Sequence, residues 1–123
     1  MKVKYSLELH LVDERNDDEK TIEVVCLEYV SNINFLPQIG MTIIIGENVD
    51  ELSEHEVQEI IWAEKDDFLY VIFKDFHSFN DDEFKKDEEM WEYFDGLKKD
   101  FVEKDEWTIR EIRGVRGTES FRK

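Results

Sequence analysis

Residues 68–101, FLYVIFKDFHSFNDDEFKKDEEMWEYFDGLKKDF, carry two hydrophobic periods in succession. From Phe68 to Phe76 the apolar side chains occupy both parities: Leu69, Val71 and Phe73 point one way, and Phe68, Tyr70 and Ile72 the other. A strand with two apolar faces is covered on both sides. Further on, Met90, Trp91, Phe94, Leu97 and Phe101 fall within an arc of about 120° at ~100° per residue, the stripe of an amphipathic helix. Between the two, Asn80-Asp81-Asp82-Glu83 matches a capping box with Asn80 as N-cap, and Phe79 and Phe84 stand where a hydrophobic staple places them. The acids at 81–83 complement the positive end of the helix dipole. The stretch predicts a strand, then a helix over about 81–103 whose stripe seals the outer side of the strand at Phe68 to Ile72. Gly96 interrupts that helix, at about 1 kcal/mol relative to alanine. Trp62, Phe73, Trp91 and Phe94 are expected to be structural.

Upstream, Val3, Tyr5, Leu7, Leu9 and Leu11 alternate with polar residues, the period of a half-buried strand. The polar run from Asp13 to Lys20 predicts a long hairpin loop, and Thr21 to Val30 the return strand. Its pattern changes phase, with Ile22 and Val24 opposed to Glu23 and then Leu27 and Tyr29 flanking Glu28, so a bulge is expected near Val25. A connection with Pro37 and Gly40 leads to a short apolar run from Met41 to Ile45. Val57 to Ala63 predicts another strand with a phase shift before Ile60, and Glu64 to Asp67 a turn. Downstream of the helix, Trp107 to Ile112 predicts a last strand, with Ile112 out of phase. The predicted class is mainly β with one helix (α+β), in the order β-β-β-β-β-α-β. Short strands and repeated phase shifts favour a small, strongly bent SH3-like or OB-like barrel. Residues 1–113 are read as one domain and 114–123 as a flexible tail.

The bounds set by composition agree. A chain of 123 residues is long enough for one core. Its 41% apolar and 13% aromatic content exclude an intrinsically disordered acidic chain, despite 39% charged residues. Net charge is −16, from 32 acidic and 16 basic residues, which repels nucleic acid and anionic membranes and attracts basic proteins. Cys26 is the only cysteine, so no internal disulfide can form and a reducing compartment fits. The first residues lack a signal-peptide core, and no apolar run reaches the ~20 residues of a membrane span. The expected location is cytoplasmic.

Pro37-x-x-Gly40, the apolar run Ile43 to Ile45, Val57-x-x-Ile60-x-Trp62 and the apolar strand that follows resemble small SH3-like β-barrel proteins of bacteria and phage, most of them of unknown function. The resemblance covers about residues 37–76. It departs at Met41, where such proteins often carry an acid, and at the helical insertion of 80–103. It implies a small barrel and no activity.

The chemistry-bearing residues form no motif. His10, His55 and His77 are dispersed, without a His-x-x-x-His pair; a zinc site would need them to converge with carboxylates from separate strands. They are read as exposed strand or loop histidines. Cys26, between Val25 and Leu27, is read as a small buried hydrophobe. The loop from Asp13 fails the EF-hand pattern, with Asp18 at the sixth position and Val24 at the twelfth. No glycine cluster has the spacing of a phosphate loop. Neither a metal nor a cofactor is expected. One basic island, Arg110, Arg113, Arg116, Arg122 and Lys123, offers a contact for nucleic acid or an acidic partner, but against a net charge of −16 an intramolecular or lattice-level role is expected.

The helix offers Asp81, Asp82, Glu83, Asp87, Glu88, Glu89, Glu92 and Asp95 away from its apolar stripe. Such an array imitates phosphates and competes for lysine and arginine. The sequence therefore reads as a non-catalytic acidic module that binds a protein partner, a basic one by charge, with no direct nucleic-acid or membrane binding. Its rivals are an acidic inhibitor or immunity-type protein blocking a basic nucleic-acid enzyme, a small enzyme using buried carboxylates, and a structural phage or envelope component.

Overall fold

The computed structural model describes residues 1–14, 19–46, 52–80 and 86–120. Its elements are β1 (Lys2–Asp13), β2 (Lys20–Asn32), β3 (Thr42–Ile44), β4 (Glu54–Ala63), β5 (Phe68–Phe73), β6 (Phe76–Asn80), α1 (Asp87–Glu103), β7 (Thr108–Gly114) and β8 (Gly117–Ser120). The class is mainly β with one helix, as expected. The strands form one mixed sheet in the order β3-β4-β5-β1-β2-β7-β8, with β6 also on β1. Among the described residues the path runs from β3 to β8 without closing, so the sheet is open where a barrel was expected. The phase shifts behind the barrel expectation are real but local. Register slips at Leu11/Val12, at Cys26/Leu27 and at Val57/Glu59. Each bulge re-aims side chains within a strand pair, and none carries the sheet round to its far edge. The slip at Cys26/Leu27 also explains Ile112: Ile109 pairs with Leu27 and Ile112 with Val25, so both isoleucines pack against the core.

β1 is central. It pairs antiparallel with β2, and its other edge takes β5 at Val3 to Ser6 and β6 at Leu9 to Asp13, both parallel. The expected strand of 68–76 is thus two segments, parted at Lys74 and Asp75. One face of the sheet bears Val3, Tyr5, Leu7, Leu9, Leu11, Val25, Leu27, Leu69, Val71 and Phe73, all buried. Met90, Phe94, Leu97 and Phe101 of α1 complete that core, together with Trp107 and the buried Ile45 and Val57. The helix therefore seals the Leu69–Val71–Phe73 side, opposite to the side expected. Phe68, Tyr70 and Ile72 stay half-buried on the open face. Two apolar parities called for two covers, but partial mutual shielding on an open sheet serves the second.

Three more expectations are corrected. Asn80 is the last residue of β6, paired with Asp13, and α1 begins at Asp87 with Lys86 as an N-cap that makes no side-chain cap bond. Pairing with β1 outweighs the local capping signal; Phe84 and the acids 81–83 lie outside the described residues. Trp62 is 54% exposed near the end of β4, while Phe73 and Phe94 are buried and Trp91 is half-buried. Gly114 to Ser120, expected in a mobile tail, forms the end of β7, a turn and β8. Gly114 has a steric reason: a Cβ there would lie 2.4 Å from the Ile22 carbonyl oxygen.

Gly96 does not break α1, which runs unbroken to Glu103, and a Cβ at Gly96 would meet no atom within 4 Å. Gly96→Ala is expected to stabilise the fold by about 1 kcal/mol through helix propensity alone. Urea denaturation of the two proteins measures it, and a destabilisation would mean a contact absent from this structure.

Candidate functional site

The acidic helix face is built by the same stripe that docks α1. With Met90, Phe94, Leu97 and Phe101 turned inward, Asp87, Glu88, Glu89 and Glu92 are exposed in the first turns. Glu88 and Glu92, one turn apart, lie opposite the buried stripe. Among the described residues no lysine or arginine forms an ion pair with Glu88, Glu89 or Glu92. The candidates Asp81, Asp82 and Glu83 lie outside the described residues.

Asp95, the remaining candidate, is tied into the fold. Its carboxylate takes hydrogen bonds from Arg116 at 2.8 and 3.0 Å and pairs with Lys98 at 2.9 Å. The Arg116 bonds lead the effects that hold the Asp95 carboxyl down at about 2. The same two cations reach Glu23 of β2, which is 2% exposed: Arg116 Nη2 donates to it at 2.9 Å and Lys98 Nζ at 3.4 Å. The Arg116 guanidinium also lies 3.7 Å from the centre of the Trp91 ring, in cation–π geometry. Helix, central sheet and the β7–β8 turn are thereby fastened at one corner. Glu23 points inward opposite Leu11, although the pattern of its neighbours placed Ile22 and Val24 inside. A buried carboxylate is costly unless paired, and both of its partners lie far along the chain, so sequence alone left it outside.

The expected intramolecular role of the basic island holds for its described arginines. Arg110 pairs with Glu28 at 2.9 Å, Arg113 lies 3.7 Å from Glu111 and 3.8 Å from Glu8, and Arg116 pairs as above. Arg122 and Lys123 lie outside the described residues.

The open face of the sheet holds a hollow of about 680 Å³ lined in part by Lys4, Glu8, Cys26, Glu28, Tyr70 and Arg110. Cys26 is half-buried there, on the solvent side of the sheet and not in the core as expected. Burial pushes its thiol up, although Arg113 Nη2 lies 3.8 Å from Sγ. A nucleophilic cysteine needs the opposite shift.

The histidines are not simply exposed. His55 is 4% exposed and packed among Phe73, Phe101 and Trp107, and burial lowers its imidazole to about 4. His10 is half-buried and His77 is exposed. These two stand side by side in register on the parallel strands β1 and β6, with ring centres 5.0 Å apart. Asp75, at the break between β5 and β6, brings Oδ2 to 3.4 Å from His10 Nε2, and Glu8 brings Oε1 to 3.6 Å. Sequence reading missed this convergence because it needs β6 laid along β1 in one register. The alternating pattern around His10 marked its face, but nothing local marked its neighbour.

A scan of protein-family models, a search of curated proteins and a search of solved structures each found no match to this chain. No described helix is long and apolar enough to cross a membrane.

Proposed function

We propose that the chain is a non-catalytic acidic binding module that engages a basic protein partner through the first turns of α1. One observation carries the reading: Glu88, Glu89 and Glu92 project from a helix fixed by its buried stripe and by the Arg116 corner, and no described cation neutralises them. Rigid carriage matters, because partner lysines and arginines then meet carboxylates that need no further ordering. First-turn acids also complement the helix dipole, so stability and binding must be read separately.

The test compares two variants of equal charge change. Glu88→Gln/Glu89→Gln/Glu92→Gln neutralises the helix; Glu64→Gln/Asp66→Asn/Asp67→Asn neutralises the exposed β4–β5 turn, where asparagine tolerates the positive φ of 54° at Asp67. Each is titrated with a lysine-rich peptide at low and at moderate salt. The helix variant is expected to bind about tenfold more weakly at low salt, a difference of about 1.4 kcal/mol, with a shallower salt dependence. The turn variant should stay near the parent. Equal losses in both would mean that the charge is undirected, and the reading would fall. Where the partner is a nucleic-acid enzyme, its displacement from the module by duplex DNA would narrow the module to an inhibitor.

A further inference from the structure

We propose that His10, His77 and Asp75 form a binding site for a divalent transition metal of the zinc class, with Glu8 as the available fourth ligand. The ligand atoms of His10, Asp75 and His77 already lie within 4.8 Å of one another, and they come from β1, β6 and the break between β5 and β6. The separations fit a metal better than they fit a hydrogen bond. Zinc takes nitrogen and oxygen ligands at about 2.0–2.1 Å in a tetrahedron, whose edges are then about 3.4 Å. His10 Nε2 and Asp75 Oδ2 are 3.4 Å apart, and His10 Nε2 and Glu8 Oε1 are 3.6 Å apart. An N–H donor bonding to either carboxylate would instead sit at about 2.7–3.2 Å. His10 Nε2 is in fact sealed from solvent and, among the described residues, has no hydrogen-bond partner of the kind that a buried nitrogen ordinarily has.

The chemistry of the donor set selects the metal. Two imidazoles with one or two carboxylates suit zinc, nickel or copper, whereas calcium and magnesium require oxygen throughout. Register does the positioning: His10 and His77 are direct neighbours on parallel strands, so the pleat turns both rings to the same side. His77 is exposed, so a rotation of its side chain is open to it in a set whose ligand atoms already lie within 4.8 Å of one another. Glu8 also lies 3.8 Å from Arg113 Nη2, so its carboxylate is shared between that cation and the metal. Glu8 and Asp75 both line the hollow on the open face of the sheet. This site is separate from the helix face and stands or falls independently of the binding reading.

The experiment uses the metal-stripped full chain titrated with zinc by calorimetry, and with cobalt(II) followed by its visible absorption. One equivalent should bind with micromolar or tighter affinity, cobalt should show the intense bands of a tetrahedral site, and millimolar calcium or magnesium should not compete. His77→Ala changes only an exposed side chain and Asp75→Asn keeps the shape of the ligand. Each should weaken zinc by about tenfold or more, one decade being about 1.4 kcal/mol. Zinc should raise the melting temperature of the parent and not that of the variants. Zinc binding of unchanged strength in both variants, or readily displaced by calcium, would mean diffuse association with surface carboxylates and would overturn the site. Unfolding of one variant, seen by circular dichroism, leaves the other to decide.

Discussion

Phe94→Ala is expected to remove about 3–5 kcal/mol of stability, the range for deleting a fully buried aromatic side chain. Phe94 is 0% exposed at the middle of the stripe, between Met90 and Leu97, which forms one core with Leu69, Val71 and Phe73. The void it leaves cannot be filled by a neighbour on α1, whose other inward residues are already packed against the core. A domain of this size has about 5–15 kcal/mol in total, so the variant should unfold at markedly lower denaturant with little change in slope. Guanidinium titration followed by tryptophan fluorescence measures it, with buried Trp107 as the reporter. A loss under about 1 kcal/mol would mean that the helix does not hold this face.

The second large effect is acid sensitivity from His55. Its imidazole is surrounded by Phe73, Phe101 and Trp107, and burial holds it at about 4 against an ordinary value of 6.5, with a backbone hydrogen bond to Leu52 acting in the opposite sense. Well above pH 6.5 the ring is neutral whether the chain is folded or not, and it adds no pH dependence. Between 6.5 and about 4 the unfolded chain takes up a proton that the folded one resists, so stability falls steadily as the solution is acidified. The loss levels off below about 4 and totals about 3 kcal/mol. His55→Phe should abolish that part of the slope while leaving the carboxylate contribution in place. Stability curves of both proteins at pH 7 and pH 4 supply the comparison, and parallel loss in the two would exclude His55 as the source.

What the sequence made legible was periodicity. The alternation of Val3 to Leu11 and the stripe from Met90 to Phe101 each appear as the element they announced, because a buried face writes its spacing into consecutive residues. Phase shifts were legible as bulges, but not their consequence: a bulge bends a pair of strands, and whether a sheet closes depends on which edges meet. The side that α1 covers could not be decided where both parities were apolar. The Asn80 cap misled because a long-range pairing, Asp13 with Asn80, competed with a sound local signal. Trp62 misled because size was taken for burial, whereas its place near the end of β4 leaves half of the ring in water. The helix acids were readable as an exposed face. The partnership of Asp95 with Arg116 was not, since it joins α1 to a turn in a stretch that reads as a loose tail. The His10–His77 neighbourhood was beyond reach for the same reason, being a property of strand order.

The central position of β1 bears on how the chain is made. β1 has partners on both sides, and only one follows it closely in the chain: β2 pairs with it from Lys20 onward, while β5 and β6 supply its other edge from Leu69 to Asn80. During translation the β1–β2 ribbon must wait with Val3, Tyr5, Leu7, Leu9 and Leu11 uncovered and with both outer edges unpaired, that of β1 until β5 and β6 and that of β2 until β7. Such an edge recruits other nascent chains. Lys4, Glu8 and His10 alternate along the same strand, so the waiting ribbon carries charge on its reverse face, and the acidic sequence between β1 and β2 adds mutual repulsion between ribosome-bound copies.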